Sequence, residues 1–211
     1  MISRSHTFVY IHIPKCGGTS VIRKIKPFII GNGTREGLMS SNVETHEGYA
    51  DHSFFHETYQ RLSKSELDTF YKFSIVRNIY DRLASFYGHQ GHRITSHFRR
   101  NIKINNFTDF IMNIDYILEE IRVQNKHSIH NRINRSIEPV SDWLYIDGKN
   151  YFDDIFDLKN LDSEWKTISQ KIGIPHTPLP KNNVRNKKQK SYNFVGCAIL
   201  VLEIHVVRKR Q

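Results

Sequence analysis

The sequence predicts an α/β fold: a central, mainly parallel sheet with helices packed against it in three layers. Three observations predict it. The segments "TFVYIHI" (7–13) and "KFSIV" (72–76) are short, apolar and rich in β-branched and aromatic residues, as buried strands are. Each is followed within a few residues by apolar positions at helical spacing. A third such segment, "YFDDIFDL", is again followed by a helical pattern. Strands alternating with helices favour a parallel sheet, because parallel neighbours need a crossover connection.

Taken in order, the first strand closes at Pro14, and a helix begins at Thr19 or Ser20 with Val21, Ile22 and Ile25 on its apolar face. Residues 27–50 hold four glycines and many polar residues and read as loop. Residues 55–70 are partly helical. The strand 72–76 leads through Arg77 and Asn78 into a helix carrying Ile79, Leu83 and Phe86. Phe107 to Ile121 predicts one continuous helix, since Phe110, Ile111, Ile114, Ile117, Leu118 and Ile121 recur at three and four. The last helix, "DSEWKTISQKIG", has Asp162 as its cap and Gly173 at its end.

The 211 residues suit one domain, 1–211, with an atypical tail at 193–211, and 38% hydrophobic residues exclude a disordered chain. A formal net charge of +10 points to anionic partners without choosing among nucleotides, glycans, nucleic acid and membrane surfaces. Lys181, Arg185, Lys187, Lys188 and Lys190 form one basic run, and Arg208, Lys209 and Arg210 another. Two distant cysteines, Cys16 and Cys197, make no disulfide framework. The start of the chain runs directly into a strand-like pattern, which predicts no signal peptide or membrane anchor and a cytoplasmic protein. The apolar run Phe194 to Val207 is interrupted by Glu203 and His205 and is too short to span a bilayer.

The stretch "IPKCGGTS", directly behind the first strand, admits three readings: an anion cradle, a cysteine nucleophile site, or a tight turn. A helix N-terminus has unpaired backbone N–H groups and partial positive charge. Gly17 and Gly18 would let the backbone approach phosphate oxygens, with Thr19 and Ser20 adding hydroxyls and Lys15 a charge. The Walker spacing of nucleoside triphosphatases is not met, because Lys15 precedes the glycines. A cysteine phosphatase would place its Arg after five intervening residues, whereas six separate Cys16 from Arg23. In the second region, Arg77 ends a strand and Ser85 lies eight residues on, about two helical turns, with Arg82 nearby. Arg77 can fork two donors onto a phosphate and Ser85 can join it; pairing of Arg77 with Asp81 is the alternative.

Together, "PKCGGTS" at Pro14 to Ser20 and "RNIYDRLASFY" at Arg77 to Tyr87 resemble the carbohydrate-type sulfotransferases that use 3'-phosphoadenosine 5'-phosphosulfate (PAPS), whose motifs read PKxGGTS and RNPxxRxxSxY. The later "NLDSEWKTISQKIGI" looks like that family's ENLEEDW...LGI stretch. The resemblance implies a P-loop-like α/β fold and transfer of a sulfuryl group from PAPS to a carbohydrate hydroxyl, leaving adenosine 3',5'-bisphosphate. It implies that Lys15, Cys16, Gly17, Gly18, Thr19 and Ser20 hold the 5' side of the donor, and Arg77 and Ser85 the 3'-phosphate. Three departures stand out: Ile79 replaces the usual Pro, Lys159 replaces a common Glu, and the tail is apolar and then basic instead of acidic and aromatic.

Transfer of this kind is in-line with a loose transition state, so positioning and charge stabilisation dominate. Lys15 is the group expected at the leaving oxygen. A base is also needed, and His46, His52 and His56 lie between the two motifs; His52 is the choice, from its distance before the "VRN" strand end. His89, His92 and His97 make a further His- and Arg-rich stretch that can face solvent or an anionic acceptor. No ligand cluster for a metal is evident. The expected partner is a glycan, anionic or already sulfated, with neither nucleic acid nor a membrane segment. The alternatives are a P-loop kinase or nucleotide hydrolase, and an inactive family member that binds nucleotide or polyanion.

Overall fold

The structure, a computed structural model, describes residues 1–29, 53–124 and 136–180. The expectations for His46, His52, Cys197, the two basic runs and the tail fall outside the described residues. The chain divides into two compact units: Met1–Arg77 with Glu138–Val184, and Asn78–Ile137 with Arg185–Gln211.

The first unit is built on a four-stranded mixed sheet. Its strands are β1 (Ile2–Ser3), β2 (Phe8–Ile11), β3 (Tyr71–Val76) and β6 (Asp154–Asp157), in the order β1-β2-β3-β6. β1 runs antiparallel to β2, while β2 with β3 and β3 with β6 are parallel, Tyr10 standing opposite Phe73 and Ile75 opposite Phe156. Alternation along β2 divides its residues between two cores. Phe8 and Tyr10 pack with Phe73 and Ile75 against Val21 and Ile25 of α1 (Gly18–Ile29) and Trp165 and Ile168 of α8 (Leu161–Lys171). On the other face, Val9 and Ile11 meet Phe55 of α2 (Phe55–Tyr59) and Trp143 and Leu144 of α7 (Val140–Leu144). All four residues of β2 are buried because both faces are covered, which is why its sequence is continuously apolar. The sheet with helices on either side bears out the α/β expectation.

The crossover from β2 to β3 passes through α1, α2 and α3 (Lys64–Thr69). Ser63 caps α3 by accepting from the Glu66 amide, while the Glu66 carboxylate accepts from the Ser63 amide at 2.7 Å. Between α7 and β6 a small hairpin pairs β4 (Tyr145–Ile146) with β5 (Lys149–Asn150). Its turn residues, Asp147 and Gly148, have φ of 49° and 75°, so the Asp-Gly pair supplies the left-handed backbone that a two-residue hairpin requires.

The second unit is helical where described: α4 (Ile79–Phe98), α5 (Phe107–Met112) and α6 (Ile114–Gln124). Asn78 caps α4 through a 3.0 Å bond from the Tyr80 amide to its side-chain oxygen. Leu83, Phe86, Ile94 and Phe98 of α4 join Phe107, Phe110, Ile117 and Ile137 in one core.

The structure corrects several boundaries. The single helix expected over 107–121 breaks at Asn113, whose backbone leaves the helical region at φ −108° and ψ 12°, while its side-chain amide joins its own backbone amide in donating to the Asp109 carbonyl, at 2.7 and 3.2 Å. The apolar spacing continued across the break and concealed it. α1 begins at Gly18 and continues through Pro27 to Ile29, a proline in the last turn removing only one helical donor. α8 begins at Leu161 after a 3-10 turn, with Asp162 in its first turn and Asn160 at the cap position.

Candidate functional site

β2 ends at Ile11, and His12 to Gly17 form the loop that carries the chain into α1. Two residues here have left-handed backbone: Lys15, with φ 67°, and Gly17, with φ 78°. Glycine adopts this conformation without steric cost, whereas a lysine in it is strained by about 1–2 kcal/mol. The Cys16 amide turns back to the Ile13 carbonyl at 3.4 Å, and the Ser20 amide to the Gly17 carbonyl at 3.2 Å. The first-turn amides of Gly18 and Thr19 have no carbonyl four residues back within the helix, as at any helix start. With the positive end of the α1 dipole behind them, these groups suit an oxyanion.

Cys16 is only 1% exposed and packs in the apolar cluster with Ile13, Phe55 and Trp143. It contributes its backbone to the loop and offers no accessible thiol. Lys15 is half-buried beside it. Arg77, at the end of the neighbouring strand β3, donates from Nη1 to the Lys15 carbonyl at 3.4 Å. The two expected cationic residues are thereby brought together at the carboxyl ends of adjacent parallel strands, where open α/β sheets bind ligands.

The two hydroxyls are not equivalent. Ser20 donates from Oγ to the carbonyl of Pro180 at 2.8 Å, while Thr19 is exposed. The segment reaching Pro180 is fixed at two further points: Lys24 Nζ donates to Thr177 Oγ1 at 2.7 Å, and Trp165 Nε1 donates to the Thr177 carbonyl at 2.9 Å. Pro180 is thus a neighbour of the loop that motif reading does not reveal. Its signal was weak, a proline-rich stretch two dozen residues past the last strand.

Within the second unit, Ser85 is half-buried on α4. Arg82 is fully buried and donates from Nη2 to the Ser136 carbonyl at 3.1 Å. His56 is exposed on α2 and stacks on Phe54 at 5.5 Å, and His89, His92 and His97 are exposed on α4.

His12 is a second neighbour of the loop that the motifs do not reveal. It stands two residues beyond Tyr10, so strand alternation puts both rings on the same face. Its ring stacks on Tyr10 at 6.0 Å and 16°, Tyr10 on Phe73 at 4.9 Å, and Phe73 on Tyr71 at 5.7 Å. This column of rings rises along β2 and β3 to the underside of the loop. At its foot, the Tyr71 hydroxyl donates to Asp154 Oδ2 at 2.6 Å, and Lys171 Nζ reaches the same oxygen. Burial pushes the Tyr71 phenol well up, helped by that hydrogen bond, and burial with the neighbouring Cys16 does the same to Tyr10. Both phenols are neutral, so the column carries no charge below its top.

Among the described residues there is no cluster of His, Cys, Asp or Glu able to hold a metal ion, and no helix is long and apolar enough to cross a membrane. Residues 1–194, running through both units, match the sequence profile of the sulfotransferase family. No curated protein and no solved structure matches the chain.

Proposed function

The chain belongs to the sulfotransferase family, and from that premise we propose that it moves the sulfuryl group of PAPS to a hydroxyl of a carbohydrate acceptor by in-line displacement. The observation that carries this reading is the junction of Lys15 and Arg77 at the mouth of the β2–α1 loop. Two cationic residues, one in the loop after β2 and one at the end of β3, next to a helix start and a glycine pair, suit a donor with anionic groups at both its 5' and 3' positions. A nucleoside triphosphate would not require the second site, and the Lys lies on the wrong side of the glycines for a Walker loop.

When bound, PAPS supplies a sulfuryl group attached to a phosphate leaving group. Lys15 and the Gly18 and Thr19 amides hold the 5' end and stabilise the charge that grows on the leaving phosphate oxygen as its bond to sulfur breaks. Thr19 and Ser20 are the hydroxyls of the same cradle. Arg77, with Ser85, binds the 3'-phosphate and fixes the angle of the donor, so that the acceptor oxygen meets sulfur in line. His52 takes the proton from the acceptor hydroxyl as the new oxygen–sulfur bond forms. The basic character of the chain, with a pI near 9.6, favours an acidic or already sulfated glycan.

The test is a thermal-shift comparison of adenosine 3',5'-bisphosphate with AMP and ADP. At a hundredfold excess over its dissociation constant, a ligand specific for the folded state adds about 2.7 kcal/mol of stability. The bisphosphate is expected to raise the melting temperature well above the shift given by AMP or ADP. Equal shifts from all three would overturn the reading.

A further inference from the structure

The two glycines of the loop are glycine for different reasons. Gly17 needs its left-handed φ of 78°. Gly18 opens a right-handed helix, a backbone that any residue adopts, yet a Cβ placed on it would overlap the imidazole of His12. The constraint at Gly18 is therefore a contact, and its partner is a ring that cannot easily retreat. His12 is only 8% exposed, and its plane is held against Tyr10 by the stacked column below.

We infer that His12 is a positioning residue for the donor site: the first turn of α1 rests against the Nε2–Cδ2 edge of its ring, and the place of that edge sets where the Gly18 and Thr19 amides lie. This inference rests on the proposed function for the identity of the ligand, but the contact itself does not. Hydrogen bonds weaken steeply with angle, and an anion cradle works only when several donors converge on one point. Seating the helix start on a rigid ring gives that convergence without any bond from His12 to the ligand.

The experiment is a double-mutant cycle between positions 12 and 18, using G18A, H12A and the H12A/G18A pair, with two readouts. In the presence of His12, Gly18→Ala forces the helix start away from the ring. It is expected to weaken adenosine 3',5'-bisphosphate at least tenfold and to lower the melting temperature. In the His12→Ala background, where the methyl has room, the same substitution is expected to change affinity by less than threefold and to leave the melting temperature unchanged. In the transfer reaction, His12→Ala should raise the KM for the donor while the KM for the acceptor stays constant. A merely structural defect would reduce the active fraction and move only the apparent kcat.

Equal costs of Gly18→Ala in the two backgrounds, by affinity and by melting temperature, would overturn the inference. If the wild-type protein fails to distinguish the bisphosphate from AMP, the proposed function fails, while the melting-temperature cycle still decides whether His12 seats Gly18.

Discussion

The guanidinium of Arg77 donates to the backbone carbonyl of Lys15 across 3.4 Å, joining the end of β3 to the loop after β2. One side chain thus touches the backbone of the proposed 5' cradle while retaining other donors of its fork for a second anion. The bond also restrains the residue whose φ of 67° is least favourable for its type.

Arg77→Lys keeps the charge and loses the fork, so it separates two roles for this residue. If Arg77 binds the 3'-phosphate, the substitution should weaken adenosine 3',5'-bisphosphate about tenfold or more, in line with about 1.5–3 kcal/mol for a charged hydrogen bond. AMP, which lacks that phosphate, should lose much less. Calorimetric titration of both nucleotides checks this, and equal losses would show that Arg77 acts only by holding the loop.

Lys15 carries a left-handed backbone with φ 67°, so stability and the proposed role of its side chain can be separated. Lys15→Asn places a residue tolerant of left-handed backbone at the same position. It is expected to leave the stability to urea unchanged or to raise it by up to about 1 kcal/mol, while abolishing sulfuryl transfer. A variant that loses activity together with stability would mean that the side chain is needed for folding.

The parts of this arrangement legible in the sequence are those set by local pattern. The strands around Phe8–Ile11 and Tyr71–Val76, the loop between Pro14 and Ser20, and the strand-end position of Arg77 follow from hydrophobic runs and turn residues. What was not legible depends on contacts between distant residues. Nothing near Ser20 indicates that the Pro180 carbonyl would accept a hydrogen bond from its hydroxyl, and nothing near His12 shows that its ring would lie against Gly18. The break at Asn113 is hidden for a different reason: one residue with φ −108° and ψ 12° ends the helix, while the apolar spacing continues through it.

The different surroundings of Thr19 and Ser20 predict different costs for removing their hydroxyls. Thr19 is exposed at the mouth of the loop, so Thr19→Val should lower donor affinity with little change in melting temperature. Ser20 already donates to Pro180, so Ser20→Ala should destabilise the fold by about 1 kcal/mol and affect donor affinity less than the Thr19 change does. Denaturation and bisphosphate titration of the two variants provide the comparison, and a reversed ranking would assign the anion-binding hydroxyl to Ser20.

The foot of the ring column carries a pH dependence whose sign is fixed by its partners. Burial alone would raise the Asp154 carboxyl, but hydrogen bonds from Lys171 and Tyr71 outweigh it and hold the group below its ordinary value. A carboxyl lowered in the folded state contributes stability that is fully present above the unfolded value of about 4, and that contribution is lost as pH falls through the lower folded value. Asp154 and Lys171 are both partly exposed, with side-chain exposures of 30% and 44%, so solvent keeps the effect small, on the order of 1 kcal/mol or less. Urea denaturation of the wild type and Lys171→Met between pH 3 and 6 should show the wild type losing the larger share of its stability on acidification. Tyr71→Phe removes the phenolic donor but keeps the ring in the column, so it should flatten the same pH profile while leaving bisphosphate affinity within about twofold. A large loss of affinity in Tyr71→Phe would mean that the Asp154 anchor, and not ring stacking alone, holds His12 under the loop.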